Sequence, residues 1–146
     1  MYLKLSGLCL CLLTLALPAE ACRCFTYRSV TGTQTHLRYY DLVFTGTALD
    51  TRYVGEGKVG QEDVSATKFQ VTGLYRGEAG DVIEIFHHGG IGGDVCGPNF
   101  NNGDDYVVSA RVTDERLLAG PCDGILASEM PANLRAVLYP PTSESP

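Results

Sequence analysis

The stretch Ala19-Glu20-Ala21-Cys22-Arg23-Cys24 holds the residues of this chain best suited to chemistry. Cleavage after Ala21 would leave Cys22 first, with a free α-amino group. That amine and the carbonyl oxygen of the same residue make a five-membered chelate for a metal ion. The chelate needs the neutral amine, whose reference pKa of about 7.7–8.0 lies close enough to neutrality to supply it. Such a chelate can fill the open position that a catalytic zinc site keeps for water or substrate. Cys24 offers a bridge that would hold the terminus rigid, and rigidity lowers the entropic cost of docking.

Two other uses of these cysteines fit less well. Active redox cysteines sit at helix N-termini, which lower the thiolate pKa, and no helical pattern follows Cys24. Lipidation of Cys22 would call for a bacterial lipobox, and Ala19-Glu20-Ala21 makes a poor one because it lacks Leu and carries a charge. Elsewhere the signals are bland. His87 and His88 are adjacent on a predicted strand, so they point to opposite faces and cannot easily share one ion; they read as surface histidines beside a glycine loop. His36 has no companion in sequence. Asp104-Asp105 reads as a turn, since the alternating ligands of a calcium loop are missing. No nucleophile elbow or metalloprotease helix motif occurs, so no enzyme is expected.

Residues 1–21 read as a signal peptide. Lys4 is the lone positive charge, Leu5 to Leu17 is apolar or small, Pro18 breaks the run, and Ala19-x-Ala21 supplies the small residues of a cleavage site. The apolar run is too short to span a bilayer of roughly 30 Å as a helix. The expectation is a secreted protein, extracellular or periplasmic. What remains is one domain over residues 22–139, followed by a disordered tail over 140–146.

Cys9 and Cys11 leave with the signal, so four cysteines stay: Cys22, Cys24, Cys96 and Cys122. An even count in an oxidising compartment implies two disulfides. A Cys22–Cys24 bridge would close a cramped ring, which leaves two pairings, each tying the N-terminus to two distant points. The chain after residue 21 has ten Lys and Arg against sixteen Asp and Glu, net −6, with no basic block. That balance argues against nucleic acid and against anionic membranes as partners. The expected state is a monomer with no cofactor of its own.

Phe25 to Gln34, rich in Thr, Ser and Gly, reads as a surface ridge or loop, and Thr35 to Asp41 as one short helical turn. Strands are predicted at Leu42 to Leu49, from Val64 through Gly73, at Val82 to Phe86, at Tyr106 to Val112 and at Arg116 to Ala119. Gly73 suggests a bulge or a bend. Gly55, Gly57 and Gly60 mark a mobile loop, and Gly89 to Gly93 a flexible connector. Asp114-Glu115 is a tight turn. Ser128 reads as the N-cap of a helix from Glu129 to Leu138. The fold class is therefore all-β with a C-terminal helix. A small closed barrel is expected, with a five-stranded OB-type Greek-key barrel as the leading candidate and a sandwich the alternative.

Taken together, these segments resemble a family. Cys22-x-Cys24, Asp41-Leu42-Val43-Phe44-Thr45-Gly46, Leu74-Tyr75-Arg76-Gly77, Val95-Cys96-Gly97, Tyr106-Val107-Val108 and Cys122 are similar, in order and spacing, to the N-terminal domain of the tissue inhibitors of metalloproteinases. That domain is a netrin-like OB-fold barrel. The resemblance implies the pairings Cys22–Cys96 and Cys24–Cys122. It also implies that the Cys22 amine and carbonyl chelate the active-site zinc of a partner metalloprotease, displacing its water. Cys22, Arg23, Cys24 and Phe25, with Asp94 and Val95 held beside them, would form the inhibitory edge. Arg23 stands where the family has a small Thr or Ser. A guanidinium in an apolar pocket without a partner is costly, so Arg23 suits a protease whose S1′ pocket is acidic. The third disulfide of the family has no cysteines here, and no Pro-rich stretch follows Cys24. The alternative is a non-inhibitory netrin-like module that binds extracellular proteins.

Overall fold

A computed structural model describes residues 24–55, 64–88 and 98–141. The elements, in chain order, are α1 (Val30–Leu37), β1 (Leu42–Gly55), β2 (Val64–Arg76), β3 (Val82–His88), β4 (Asp105–Thr113), β5 (Arg116–Ala119), β6 (Gly124–Leu126), a 3₁₀ turn (Ala127–Glu129) and α2 (Ala132–Leu138). The segment expected to be a signal peptide, most of the expected glycine loop after Gly55, the Gly89 to Gly93 connector and residues 142–146 of the expected tail lie outside the described residues.

The strands run β1-β2-β3-β5-β4, and β4 pairs back onto β1, which closes a ring of five. All pairings are antiparallel except β3 with β5, where Phe86 faces Leu118 and His87 faces Ala119. β6 adds to β4 opposite Tyr106 to Val108. The chain is thus mostly β, with a short helix at its C-terminal end.

Alternation explains how one strand can be buried on both faces. Leu42, Phe44 and Ala48 of β1 point into the ring, where they meet Phe69, Ile85, Val108 and Ala110. Val43 and Val107 point outward and are covered by Leu37 of α1 and by Met130, Leu134 and Leu138 around α2. The unbroken apolar runs Leu42-Val43-Phe44 and Tyr106-Val107-Val108 reflect this double cover. Phe69 sits at the centre, edge-to-face with Phe44 at 5.5 Å and with Phe100 at 4.9 Å.

A ring this small needs sharp bends. Register breaks between β1 and β2 supply them, one where Thr45 faces Gly73 and Gly46 faces Val71. The expected irregularity at Gly73 is therefore present. A Cβ there would sit 2.8 Å from the Thr45 hydroxyl oxygen, so the strands close up only over glycine. Asp114 and Glu115 both take positive φ, 49° and 62°, and make the tight turn between β4 and β5.

Four local expectations need correction. The helix runs over residues 30–37, so it takes in 30–34, expected as loop, and ends before Asp41, the expected end of the helical turn. Ser29 caps it, its hydroxyl accepting from the Gly32 amide at 3.0 Å, and Thr33 and Leu37, four apart, bury one face. Ser128 is not a helix cap, because Pro131 disfavours helical geometry in the residue before it. The run breaks into the 3₁₀ turn and α2, and Pro131 takes the cap position. β1 continues past Leu49 to Gly55, and β6 is an additional strand. Ser29→Ala is expected to destabilise the protein by about 1 kcal/mol, which chemical denaturation would read as a lower midpoint at unchanged slope.

Candidate functional site

The described chain starts at the expected edge. Cys24 is bridged to Cys122, across a sequence separation of 98 and a Cα–Cα distance of 5.3 Å. The bridge fastens the N-terminal segment to the turn between β5 and β6. Of the edge residues predicted from sequence, Cys24 and Phe25 are described; Cys22, Arg23, Asp94 and Val95, and the second-bridge cysteine Cys96, lie outside the described residues.

An aromatic cradle receives the segment behind Cys24. The Phe25 ring lies flat on His36, centroids 3.8 Å apart and planes within 5°. Tyr27 meets Phe25 edge-on at 5.1 Å, and its carbonyl accepts from the Asn133 side-chain amide of α2 at 2.8 Å. Residues 24–27 are therefore tied by a disulfide, a stack and a hydrogen bond to three different parts of the fold.

Under the cradle lies a polar relay. The Tyr40 hydroxyl donates to Asp123 Oδ1 at 2.5 Å, and Asp123 Oδ2 accepts from the Gly120 amide at 2.7 Å. Asp123 directly follows the bridged Cys122, so the relay fixes the far side of the disulfide too. Arg111 of β4 places its guanidinium 5.0 Å from the Tyr40 ring centre. A cleft of about 470 Å³ opens beside the bridge, lined by Tyr40, Arg111, Leu118, Pro121, Cys122 and Asp123 among others.

The electrostatics follow from burial beside a carboxylate. Loss of water pushes the Tyr27 hydroxyl up to about 12, with Asp123 adding to the effect. Tyr40 is also raised, by burial first and then by its bond to Asp123. His36 is lowered from 6.5, mainly because its ring loses water; Asp123 works the other way and Arg111 reinforces the lowering. Tyr40→Phe removes the donor to Asp123 in a closely packed site. A hydrogen bond to a charged group is worth roughly 1.5–3 kcal/mol, so a loss of about 1.5 kcal/mol is expected from thermal unfolding, with the disulfide intact by mass.

His36, Tyr40 and Asp123 were not legible as site residues. The helical turn expected over Thr35 to Asp41 already set His36 and Tyr40 four residues apart, and Asp123 could have been suspected as the neighbour of Cys122. The other histidines also differ from expectation. His87 is not on the surface: it is 2 % exposed, bonded through Nε2 to the Thr67 hydroxyl at 2.8 Å and edge-on to Phe100 at 5.1 Å. Period-two alternation with Ile83 and Ile85 carries it inside the ring. His88 is half-buried on the opposite face.

Among the described residues no helix is long and apolar enough to cross a membrane. No protein-family model and no curated protein sequence matches this chain.

Proposed function

We propose that this chain is a secreted inhibitor of zinc metalloendopeptidases, built on a netrin-like OB-type barrel with two disulfides. Signal cleavage after Ala21 frees the Cys22 amine, which with its own carbonyl oxygen takes the open position on the partner's catalytic zinc. The protein acts as a ligand there, and the zinc belongs to the protease. The observation that carries the reading is the Cys24–Cys122 bridge. It anchors the chain two residues beyond Cys22, a fixed point from which a terminus at Cys22 could reach only a short way. With Cys24 and Cys122 joined, Cys22 and Cys96 are left to each other, which would bring Asp94 and Val95 beside the edge. The strand order of the closed ring, with its one parallel pairing, supports the OB-type assignment. Arg23, the side chain next to the chelate, would enter an acidic S1′ pocket.

The test is intact mass and N-terminal sequencing of the secreted protein, followed by inhibition assays against zinc endopeptidases with acidic and with apolar S1′ pockets. The expected protein begins at Cys22, weighs four hydrogens less than the reduced chain, and inhibits an acidic-pocket enzyme best. A blocked, lipidated or longer N-terminus removes the chelate and leaves a non-inhibitory binding module.

A further inference from the structure

We propose that the cleft between the last turns of α1 and α2 binds a small carboxylic acid with an apolar body, its carboxylate held by Arg38 and Arg76. The proposal goes beyond the inhibitor reading and does not rest on it. Gln34 and Arg38, four residues apart, share the flank of α1 that lines this cleft. His36, two residues from each, faces away from it toward Phe25.

The cleft holds about 340 Å³, near the lower end of the roughly 300–1,000 Å³ that small-ligand sites enclose. Its apolar wall comes from all the elements around it: Leu37 of α1, Val43 of β1, and Val137 and Leu138 of α2. Tyr75 of β2 adds a ring. The Tyr75 hydroxyl is bonded to Tyr139 and Thr45, and burial first, then Tyr139, push it up to about 12. It is neutral at physiological pH and repels no anion.

The polar side of the cleft is cationic. Arg76 donates from Nε to the Tyr40 carbonyl at 2.5 Å. That bond holds the guanidinium at the end of β2 and leaves its two terminal nitrogens for a ligand. Arg38, the first residue past α1, is exposed. Among the described residues neither arginine pairs with a carboxylate, whereas Arg52 is already bidentate to Glu84. No acidic residue lines the cleft, on a chain with 17 Asp and Glu against 11 Lys and Arg. The carboxyl ends of both helices carry partial negative charge, against two full positive ones. The larger cleft beside the bridge also has an arginine, but Arg111 shares it with the Asp123 carboxylate and lies over the Tyr40 ring.

The class of ligand follows from these two halves. A guanidinium fork matches the paired oxygens of a carboxylate and stays charged at any physiological pH. An exposed ion pair alone gains little, so the acid must also bury an apolar body against Leu37, Tyr75 and Val137.

An NMR titration of the isotope-labelled protein alone, at neutral pH with octanoate as the probe, tests this. Signals of Leu37, Arg38, Tyr75, Val137 and Leu138 are expected to move together and saturate, with a dissociation constant of about 1 mM or tighter. Octanol has the same body without the charge, and acetate the charge without the body. Each should bind at least about tenfold more weakly. The Arg38 side chain makes no hydrogen bond or ion pair among the described residues. Arg38→Gln should therefore keep the melting temperature and weaken octanoate about three- to fivefold, with octanol unchanged. Raising the salt from about 0.05 to 0.5 M should weaken octanoate but not octanol. Octanoate that fails to saturate below about 10 mM, that shifts Arg111 and Leu118 instead, or that binds no better than octanol overturns the inference. So does Arg38→Gln protein that binds octanoate as tightly as the wild type. An acidic peptide without apolar side chains that binds the same residues more tightly than octanoate would make the occupant a protein segment, and overturns the small-acid assignment too.

Discussion

Protein carrying one extra alanine ahead of Cys22 is expected to inhibit at least about a hundredfold more weakly than protein beginning at Cys22, with an unchanged melting temperature. A hundredfold is about 2.7 kcal/mol of binding free energy. The extension turns the Cys22 amine into a peptide nitrogen, whose lone pair is delocalised and no longer available to zinc. The new amine lies about 3.8 Å farther along the chain. Cys24 is pinned by its bridge to Cys122, so the terminus cannot retreat to bring that amine into the old place. Folding has no stake in the change, since the ring, both helices and the aromatic cradle all begin after it. Inhibition constants and thermal melts on the same two samples decide the matter. Equal inhibition by the extended protein would falsify the chelate mechanism outright.

Replacing both Cys24 and Cys122 by Ser is the second large effect. In the chain-entropy model a bridge around roughly 100 residues is worth about 4.7 kcal/mol. The proposed Cys22–Cys96 bridge would already shorten the free path between the two positions to roughly 28 residues, which lowers the figure to about 3.5 kcal/mol. For a domain of this size that is roughly a 14 °C fall in melting temperature. Inhibition should weaken as well, even below the melt, because Cys24 is then unanchored and the edge is held by the stack, the Tyr27–Asn133 bond and the proposed Cys22–Cys96 bridge alone. A fall of only a few degrees with inhibition retained would mean that the bridge is not what holds the edge.

The strands were the readable part of this chain. Val, Ile, Phe and Tyr announced β1 to β4, the tight turn at Asp114-Glu115 announced β5, and glycine at Gly73 marked a true bend. The failures have physical causes. α1 has the sequence Val-Thr-Gly-Thr-Gln-Thr-His-Leu, whose Gly and β-branched residues are poor helix formers. Tertiary packing of Thr33 and Leu37, with the Ser29 cap, holds it in place. β6 has only three residues and exists because β4 offers it a free edge. His87 was misplaced because a neighbouring glycine loop outweighed the alternation that put Ile83 and Ile85 inside. Of the candidate edge, the pairing of Cys24 with Cys122 and the position of Phe25 behind it were expected from the resemblance. The cradle beneath them was not, since His36, Tyr40 and Asp123 come together only after the helix forms and the chain has returned from the far side of the ring.

The ring closes through contacts that are far apart along the chain. β1 pairs with β2 and β2 with β3 in chain order, but the seam of β1 with β4 joins Thr47 to Asp105 and Leu42 to Ala110. Closing such long loops must be achieved before their contacts reward it, so folding on the millisecond-to-second scale is expected. The consequence falls on biogenesis. Cys24 cannot be bridged until Cys122, 98 residues later in the chain, has been made. Until then Cys24 carries a free thiol beside its neighbour Cys22. The last step of maturation is thus the assembly of the first residues, and oxidative refolding followed by trapping of free thiols should find Cys24 and Cys122 among the last to be protected.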